Sequence, residues 1–180
     1  MDDPHIHQQI PPIRIRSATV ADASALLSIY GPLVETSAIS FETVVPTTAE
    51  FAARIETAVT GWSWLVAELN DRCIGYAYGS AHRQRAAYRW SVEVSAYVDS
   101  DHHRRGVGRA LYLQLFEKLT EKGFCNAYAG IALPNDASIA LHRGVGFESI
   151  GIFKAVGRKF GRWYDVAWFQ RNLRPSPPFA

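Results

Sequence analysis

The stretch HHRRGVGRALYLQL, residues 102–115, joins a basic loop containing two glycines directly to an apolar helical pattern. Val107, Leu111 and Leu115 recur four residues apart, which predicts an amphipathic helix that begins at the glycines. The strand-like stretch YRWSVEVSAYV, residues 88–98, immediately precedes the loop. Because the first N–H groups of a helix are unpaired and its dipole is positive there, this order predicts a cradle for a pyrophosphate.

Other ligands fit this loop less well. His102 and His103 are adjacent, so their side chains diverge and do not chelate one metal ion. Two neighbouring arginines are too few for a nucleic-acid surface, and the chain has no Gly-Lys-Ser/Thr sequence typical of a P-loop. In GVGRAL, Leu111 stands where a dinucleotide fingerprint has its third glycine. From the loop alone, a glycine turn with solvated arginines stays as the alternative to a phosphate site.

The composition is that of an ordinary globular protein, with 180 residues, 48% hydrophobic and 20% charged. We therefore expect one domain over residues 13–174, between a flexible arm at 1–12 and a flexible tail at 175–180. The formal charge of +2 and the lack of a long apolar run indicate neither nucleic acid nor membrane as a partner. Cys73 and Cys125 form no CxxC pair, which favours reduced thiols in a cytoplasmic protein without a metal site.

The remaining pattern predicts an α/β (α+β) chain with a mixed sheet and helices on its faces. Helices are expected after Thr19 and Pro46, at the loop described above, and after Asn135. Strands are expected at Ile13–Arg16, in a hairpin turning at Asn70-Asp71, in YRWSVEVSAYV, in FCNAYAGIAL (124–133), and in a closing pair joined by GRKFG (157–161).

Strand, HRRGVG and amphipathic helix together resemble the acetyl-CoA loop of the GCN5-related N-acetyltransferases (GNAT). That loop reads Arg/Gln-x-x-Gly-x-Gly/Ala, and His103 stands in its first place here. Four blocks are similar to the phosphinothricin and methionine sulfoximine acetyltransferase branch: ETSAISFET, YRWSVEVSAYV, LPNDASIALHRGVGF and GRKFGRWYDV. The resemblance implies the GNAT fold, a mixed central sheet of about seven strands with about four helices. It also implies a splay between the two central parallel strands, YRWSVEVSAYV and FCNAYAGIAL.

The resemblance implies acetyl-CoA as cosubstrate and no metal. Ala96, Tyr97 and Val98 are implied to pair with the pantetheine amides. The residues implied to hold the pyrophosphate are Arg104, Arg105, Gly106, Val107, Gly108 and Arg109. Asn135 and Ser138 are implied to touch the pantetheine arm.

Two residues are candidates for proton transfer in a direct acetyl transfer. Glu93 is implied as the base that takes the amine proton, and it lies on the polar face of its strand. The alternative is an exposed strand glutamate paired to Arg89. His142 is implied as the acid or a substrate-side hydrogen bonder, and the alternative is a helix histidine whose ring nitrogens are satisfied within the protein.

The acceptor implied by the branch is a small amino acid analogue: methionine sulfoximine, methionine sulfone or phosphinothricin. Arg83 and Arg85 would clamp its carboxylate if their segment is extended, and Arg158, Lys159 and Arg162 would add positive potential. Phe41, Tyr78 and Tyr88 match positions that line the acceptor pocket, whereas His82 and Gln84 depart from the herbicide-resistance members. A homodimer is also implied. The alternatives are another amine (amino acid, polyamine or peptide N-terminus) and an acetyl-CoA-binding module without turnover.

Overall fold

The computed structural model describes residues 12–177, so nearly all of the arm expected at 1–12, and the last three residues of the expected tail, lie outside it. The described strands are β1 Arg14–Ser17, β2 Trp64–Leu69, β3 Arg72–Ala81, β4 Ser91–Val98, β5 Asn126–Ala132, β6 Glu148–Lys159 and β7 Arg162–Asn172. The α-helices are α1 Ala23–Thr36, α2 Thr48–Gly61, α3 Val107–Glu121 and α4 Asp136–Gly144.

The seven described strands form one sheet in the order β1-β2-β3-β4-β5-β7-β6. Every neighbouring pair is antiparallel except β4 and β5, which are parallel. A mixed seven-stranded sheet with four helices confirms the expected fold class.

The parallel pair separates soon after it forms. Ser91, Val92 and Glu93 pair with the β5 residues Asn126, Ala127 and Tyr128, and the pairing ends there. Beyond this point β4 pairs only with β3, and β5 pairs only with β7. The expected splay is therefore present, and one backbone edge of each strand is left open.

The sheet has a separate hydrophobic core on each face. On one face, the apolar side of α3 packs against β2, β3 and β4, with Val92 and Val94 among the buried residues. On the other face, α1 and α2 cover Trp64 and Tyr76, and Tyr97 packs against that cluster. Because side chains alternate along a strand, Glu93 shares the face of Tyr97 and lies away from α3.

Local capping sets the starts of α1 and α2. The Thr19 N–H donates to Asp22 Oδ2 at 2.8 Å, in a 3₁₀ turn that leads into α1. Thr47 and Glu50 form a reciprocal capping box, in which the Thr47 N–H donates to Glu50 Oε2 at 2.7 Å. Both starts match the sequence prediction.

The closing hairpin is longer than the sequence predicts. Only Phe160 and Gly161 connect β6 to β7, both with positive φ, at 49° and 73°, so most of GRKFG belongs to the strands. A bulge over residues 154–156 lies opposite Asp165, whose Oδ1 accepts from the Ala155 N–H at 2.8 Å. Strand pairing across the whole hairpin overrides the turn signal of Gly157.

Lys159, which was expected to add positive potential for the acceptor, instead makes contacts with the backbone of a distant segment. Its side chain is buried, and Nζ donates to the carbonyls of Val34 at 2.7 Å and Ser40 at 2.8 Å. Burial lowers the pKa of this amine. Lys159 therefore ties the end of α1 and the following loop to β6.

Candidate active site

The open edge of β4 lies between the parted strands. Ala96, Tyr97 and Val98 all lie beyond the last β4–β5 pair, so their backbone groups on that side face no strand. An extended ligand with amide groups can pair there as an added strand. His103 Nε2 lies 3.0 Å from the Val98 carbonyl oxygen, which holds the following loop against the end of β4.

The loop after β4 turns into α3 through left-handed backbone. Arg104 has φ 57° and Gly106 has φ 80°, and α3 begins at Val107 without a side-chain cap at Gly106. The first N–H groups of α3 are therefore available, and the side chains of Arg104, Arg105 and Arg109 are exposed around them. This geometry suits a pyrophosphate.

The two glycines of the loop serve different purposes. Gly106 has the left-handed conformation of the turn, and a Cβ there would meet no atom within 4 Å. Gly108 lies inside α3, where a Cβ would approach Leu141 Cδ2 to 3.0 Å. The absence of a side chain at Gly108 thus allows α3 and α4 to pack closely.

A cavity of about 400 Å³ lies at the splay, between β4, β5, the β6–β7 hairpin and the loop after α1. It brings together three of the predicted residues, Glu93, Phe41 and Arg83. Its other lining residues are Ile39, Val94, Ser95, Gly130, Ala132, Phe153, Val156, Val166 and Trp168. Most of the lining residues have apolar side chains, and two charged groups lie among them, one carboxylate and one guanidinium.

Close packing between distant segments shapes this wall. A Cβ at Gly157 would overlap the Phe41 ring, so the glycine lets that ring lie directly on the β6 backbone. At Gly130 a Cβ would meet the Trp168 indole at 3.3 Å, which explains how the indole crosses β5. Both glycines make room for aromatic side chains of the cavity.

Glu93 lies where the strands part. Its side chain is 33% exposed, and Oε1 is 3.0 Å from His82 Nδ1. The expected alternative partner, Arg89, instead places its guanidinium 5.0 Å from the centroid of the Trp90 ring. Glu93 is thus a partly solvated carboxylate on the cavity wall.

Residues 15–168 match the family model described as an acetyltransferase (GNAT) domain. The chain belongs to the GNAT family. It is 39% identical over 168 residues to a phosphinothricin N-acetyltransferase of Streptomyces viridochromogenes, covering 93% of this chain and 92% of the relative. It is 39% identical over 164 residues to an L-methionine sulfoximine/L-methionine sulfone acetyltransferase of Pseudomonas aeruginosa, covering 90% and 95%.

A solved structure supports the same assignment. A GNAT superfamily phosphinothricin acetyltransferase from Sinorhizobium meliloti, in complex with AcCoA, matches with a TM-score of 0.88 and 37% identity. The match covers 93% of this chain and 94% of that one. This GNAT protein is an acetyl-CoA-dependent N-acetyltransferase, and the open β4 edge and the α3 start fit that cosubstrate. Within residues 12–177, no cluster of three or more potential metal ligands occurs and no helix is long and apolar enough to cross a membrane.

Three predicted acceptor residues of the GNAT enzyme lie outside the 400 Å³ cavity. Tyr78 lines a second cavity, where its ring stacks on Trp64 at 4.3 Å between centroids. Bends interrupt the segment that carries Arg83 and Arg85, so the condition of an extended segment is not met and only Arg83 lines the cavity. Tyr88 lies in an exposed 3₁₀ turn, with its ring edge-on to His82 at 5.8 Å.

Sequence reasoning missed the part of the wall that the outer strands supply. Val166 and Trp168 stand two residues apart in β7, so they share a face, and this alternation was a signal for them. Phe153 precedes the β6 bulge and Val156 lies within it, and the sequence does not reveal this bulge.

Asn135 and His142 have well-defined partners within the protein. Asn135 Oδ1 accepts from the Ser138 N–H at 3.1 Å and caps α4. His142 is buried, and its Nδ1 donates to the Ser138 carbonyl at 2.7 Å while Nε2 accepts from the Tyr112 hydroxyl at 2.9 Å. Burial also lowers the pKa of the imidazole. These contacts favour a helix histidine whose ring nitrogens both have partners within the protein, rather than an acid that protonates the leaving group.

A pH-dependent loss of stability is expected from His142. Its folded-state pKa lies below the unfolded value of about 6.5, so the unfolded chain binds the proton more tightly. The contribution of the neutral imidazole to the free energy of unfolding is complete above about pH 6.5. Below that pH it declines by up to about 1.4 kcal/mol per pH unit. Urea unfolding at pH 7.5 and 5.5 should show a smaller pH dependence in His142→Gln than in wild type. The exposed His103→Gln is the control, and an unchanged dependence in His142→Gln would contradict the assignment.

Replacement of Gly106 by Val should weaken acetyl-CoA binding by about 10-fold or more. A β-branched residue strains the left-handed conformation that directs the α3 N–H groups outward. Isothermal titration with acetyl-CoA measures the effect. Gly61→Val, at the end of α2 where a Cβ meets nothing within 4 Å, is the matched control. Equal affinity in folded Gly106→Val and wild type would exclude a phosphate cradle at this loop.

Proposed function

We propose that this enzyme acetylates the α-amino group of a small amino acid analogue such as methionine sulfoximine, methionine sulfone or phosphinothricin. The observation that carries the proposal is the cavity at the splay, where Glu93 and Arg83 lie among aromatic and aliphatic side chains. A guanidinium suits the acceptor carboxylate, and the aromatic wall suits its methyl or methylene groups. The names of relatives at 39% identity support the same acceptor class.

Acetyl-CoA, when bound, supplies an acetyl thioester. The open β4 edge at Ala96–Val98 would hold the pantetheine arm, together with the N-cap Asn135 and Ser138 in the first turn of α4. The α3 start, with Arg104, Arg105 and Arg109, would hold the pyrophosphate. Both elements converge on the splay, so the thioester would be directed toward the cavity.

Glu93 would act as the general base in a direct transfer. The neutral acceptor nitrogen would form a bond to the thioester carbon, and the C–S bond would break with its electron pair leaving on the CoA thiolate. The amine proton would pass to the Glu93 carboxylate and from there, through solvent, to the thiolate, so that the products are the amide and free CoA thiol. An α-amino group with a pKa near 8 is roughly one-tenth neutral at pH 7, which corresponds to about 1.4 kcal/mol. The scarcity of neutral amine therefore costs only about tenfold in rate at pH 7. Arg83 would orient the acceptor by its carboxylate.

Release of free CoA thiol across an amine panel tests the function. The panel contains the three analogues, common amino acids, spermidine and a short peptide, and turnover is expected on the analogues. Glu93→Gln should lower kcat by about 100-fold or more while acetyl-CoA affinity stays within about twofold. Turnover confined to spermidine or peptide would refute the acceptor class. Full activity in Glu93→Gln would refute the base, and binding without turnover on any amine would favour a non-catalytic module.

The acetylation would be a detoxification if the acceptor mimics a tetrahedral reaction centre, as a sulfoximine or phosphinate does.

The proposed location is the cytoplasm. The two cysteines, Cys73 and Cys125, are free, which suits a reducing compartment.

The outer hairpin is the proposed homodimer surface. Six large apolar side chains of β6, its turn and β7 are about half exposed or more: Ile150, Ile152, Phe153, Val156, Phe160 and Trp163. A concentration of this kind on one hairpin is typical of an interface. Phe153 and Val156 also line the cavity, so the dimer would adjoin the acceptor site.

Replacement of Trp163 by Glu should convert a dimer into a monomer. The indole is 62% exposed in the single chain and would be buried in the dimer. A carboxylate in its place would lose its hydration on association, and this desolvation free energy opposes dimer formation. Sedimentation velocity at about 10–50 µM measures the oligomeric state. Val44→Glu, 76% exposed and outside the hairpin, is the control and should leave the dimer intact. A monomeric wild type, or a dimeric Trp163→Glu, would contradict this interface.

A further inference from the structure

His82 lies directly after the last residue of β3 and packs over the point where β4 and β5 part. Its ring stacks on Tyr128 with centroids 4.3 Å apart and an interplanar angle of 13°. Trp168 lies edge-on to the same ring at 6.5 Å. Tyr128 is the β5 partner of Glu93 in the last pair of the parallel strands, so the imidazole lies across that pair. The side chain is only 11% exposed, and its orientation is therefore set by packing.

A hydrogen bond from the His82 ring fixes the orientation of the Glu93 carboxylate. An ionised carboxylate only accepts hydrogen bonds, so the contact of 3.0 Å requires a proton on His82 Nδ1. Oε1 is then occupied, and Oε2 is left for the acceptor amine. A glutamate side chain has three rotatable bonds, and fixing it before the reaction removes an entropic cost from the transition state.

A competing partner lies in the same cavity. Arg83 is the next residue along the chain and also lines the wall, and a free Glu93 carboxylate could form an ion pair with it. Such a pair would engage both the base and the cation that suits the acceptor carboxylate. In the structure Glu93 bonds to His82 instead, which keeps the two charges available for different groups of the acceptor.

We propose that His82 is a positioning residue, which orients the Glu93 carboxylate as a base and holds it apart from Arg83. The inference rests on the proposed role of Glu93. His82 takes no proton from the acceptor in this scheme, and its Nδ1–H donates to Oε1 before and after the transfer. The role is specific to this side chain because it needs both a flat ring against Tyr128 and a donor at the Nδ1 position.

Three substitutions separate the donor from the packing. His82→Asn and His82→Leu are nearly the same size and both lose the ring, but only Asn keeps an N–H near the position of Nδ1. His82→Phe keeps the ring against Tyr128 and loses the donor. Each is measured for kcat, for KM of the acceptor, and for acetyl-CoA affinity by titration.

Loss of the donor should lower kcat by about 10- to 100-fold in His82→Leu and His82→Phe, as expected for a hydrogen bond to a charged group. Acetyl-CoA affinity should stay within about twofold, and His82→Asn should recover at least half of the lost activity on a logarithmic scale. If His82→Phe unfolds below the assay temperature, the Asn and Leu pair carries the comparison. Equal kcat in Asn and Leu variants, or wild-type kcat in His82→Leu, would overturn the proposal.

A double-mutant cycle with Glu93→Gln distinguishes this inference from the proposed function. If His82 acts through Glu93, His82→Leu should cause little further loss in the Glu93→Gln background. The same fold loss in both backgrounds would show an independent effect and overturn the positioning role. Full activity in Glu93→Gln alone would instead refute the base, whereas a loss there with wild-type kcat in His82→Leu would refute only His82.

Discussion

The early separation of the two parallel strands is the constraint on which the site depends. Only three residues of β4 pair with β5, and beyond Glu93 and Tyr128 both strands continue with one unpaired edge. The backbone groups along this open edge are available to pair with an extended polar ligand. The last pair also fixes the position of Glu93, because the strands are still hydrogen-bonded at that residue. The proposed base and the proposed cofactor-binding edge thus begin at the same point of the sheet.

The rest of the fold keeps the parted strands in place. Val92 and Val94 anchor one face of β4 in the α3 core, and Tyr97 anchors the other under α1 and α2. The strand therefore cannot rotate to close the gap without exposing one of the two cores. The cavity wall is held by contacts over long sequence distances, such as Lys159 with the carbonyl of Ser40, 119 residues away. That contact carries Phe41 to Gly157, where no side chain obstructs the ring.

Local patterns predicted most of the fold and part of the site. The alternation in YRWSVEVSAYV, the capping residues Thr19 and Thr47, and the Asn70-Asp71 turn each act within a few residues, and each is present in the structure. The site residues that local reasoning missed depend on tertiary contacts. The burial of Lys159 and the bonding of both His142 nitrogens required the positions of distant carbonyls and a hydroxyl. The contact between His82 and Glu93 required the register of β3 on β4, where Ser80 lies opposite Glu93.

The charges of the cavity explain how a small amino acid would be oriented. An amino acid carries its amine and carboxylate on one carbon, so the two groups are separated by two bonds. A cavity with one carboxylate and one guanidinium can distinguish the two ends only if those side chains do not neutralise each other. In this chain Glu93 is bonded to His82, and Arg83 faces the same cavity. The amine would then be directed toward Glu93 and the splay, and the side chain toward Phe41 and Trp168. A polyamine offers two or more cations and no carboxylate, so Arg83 would repel it.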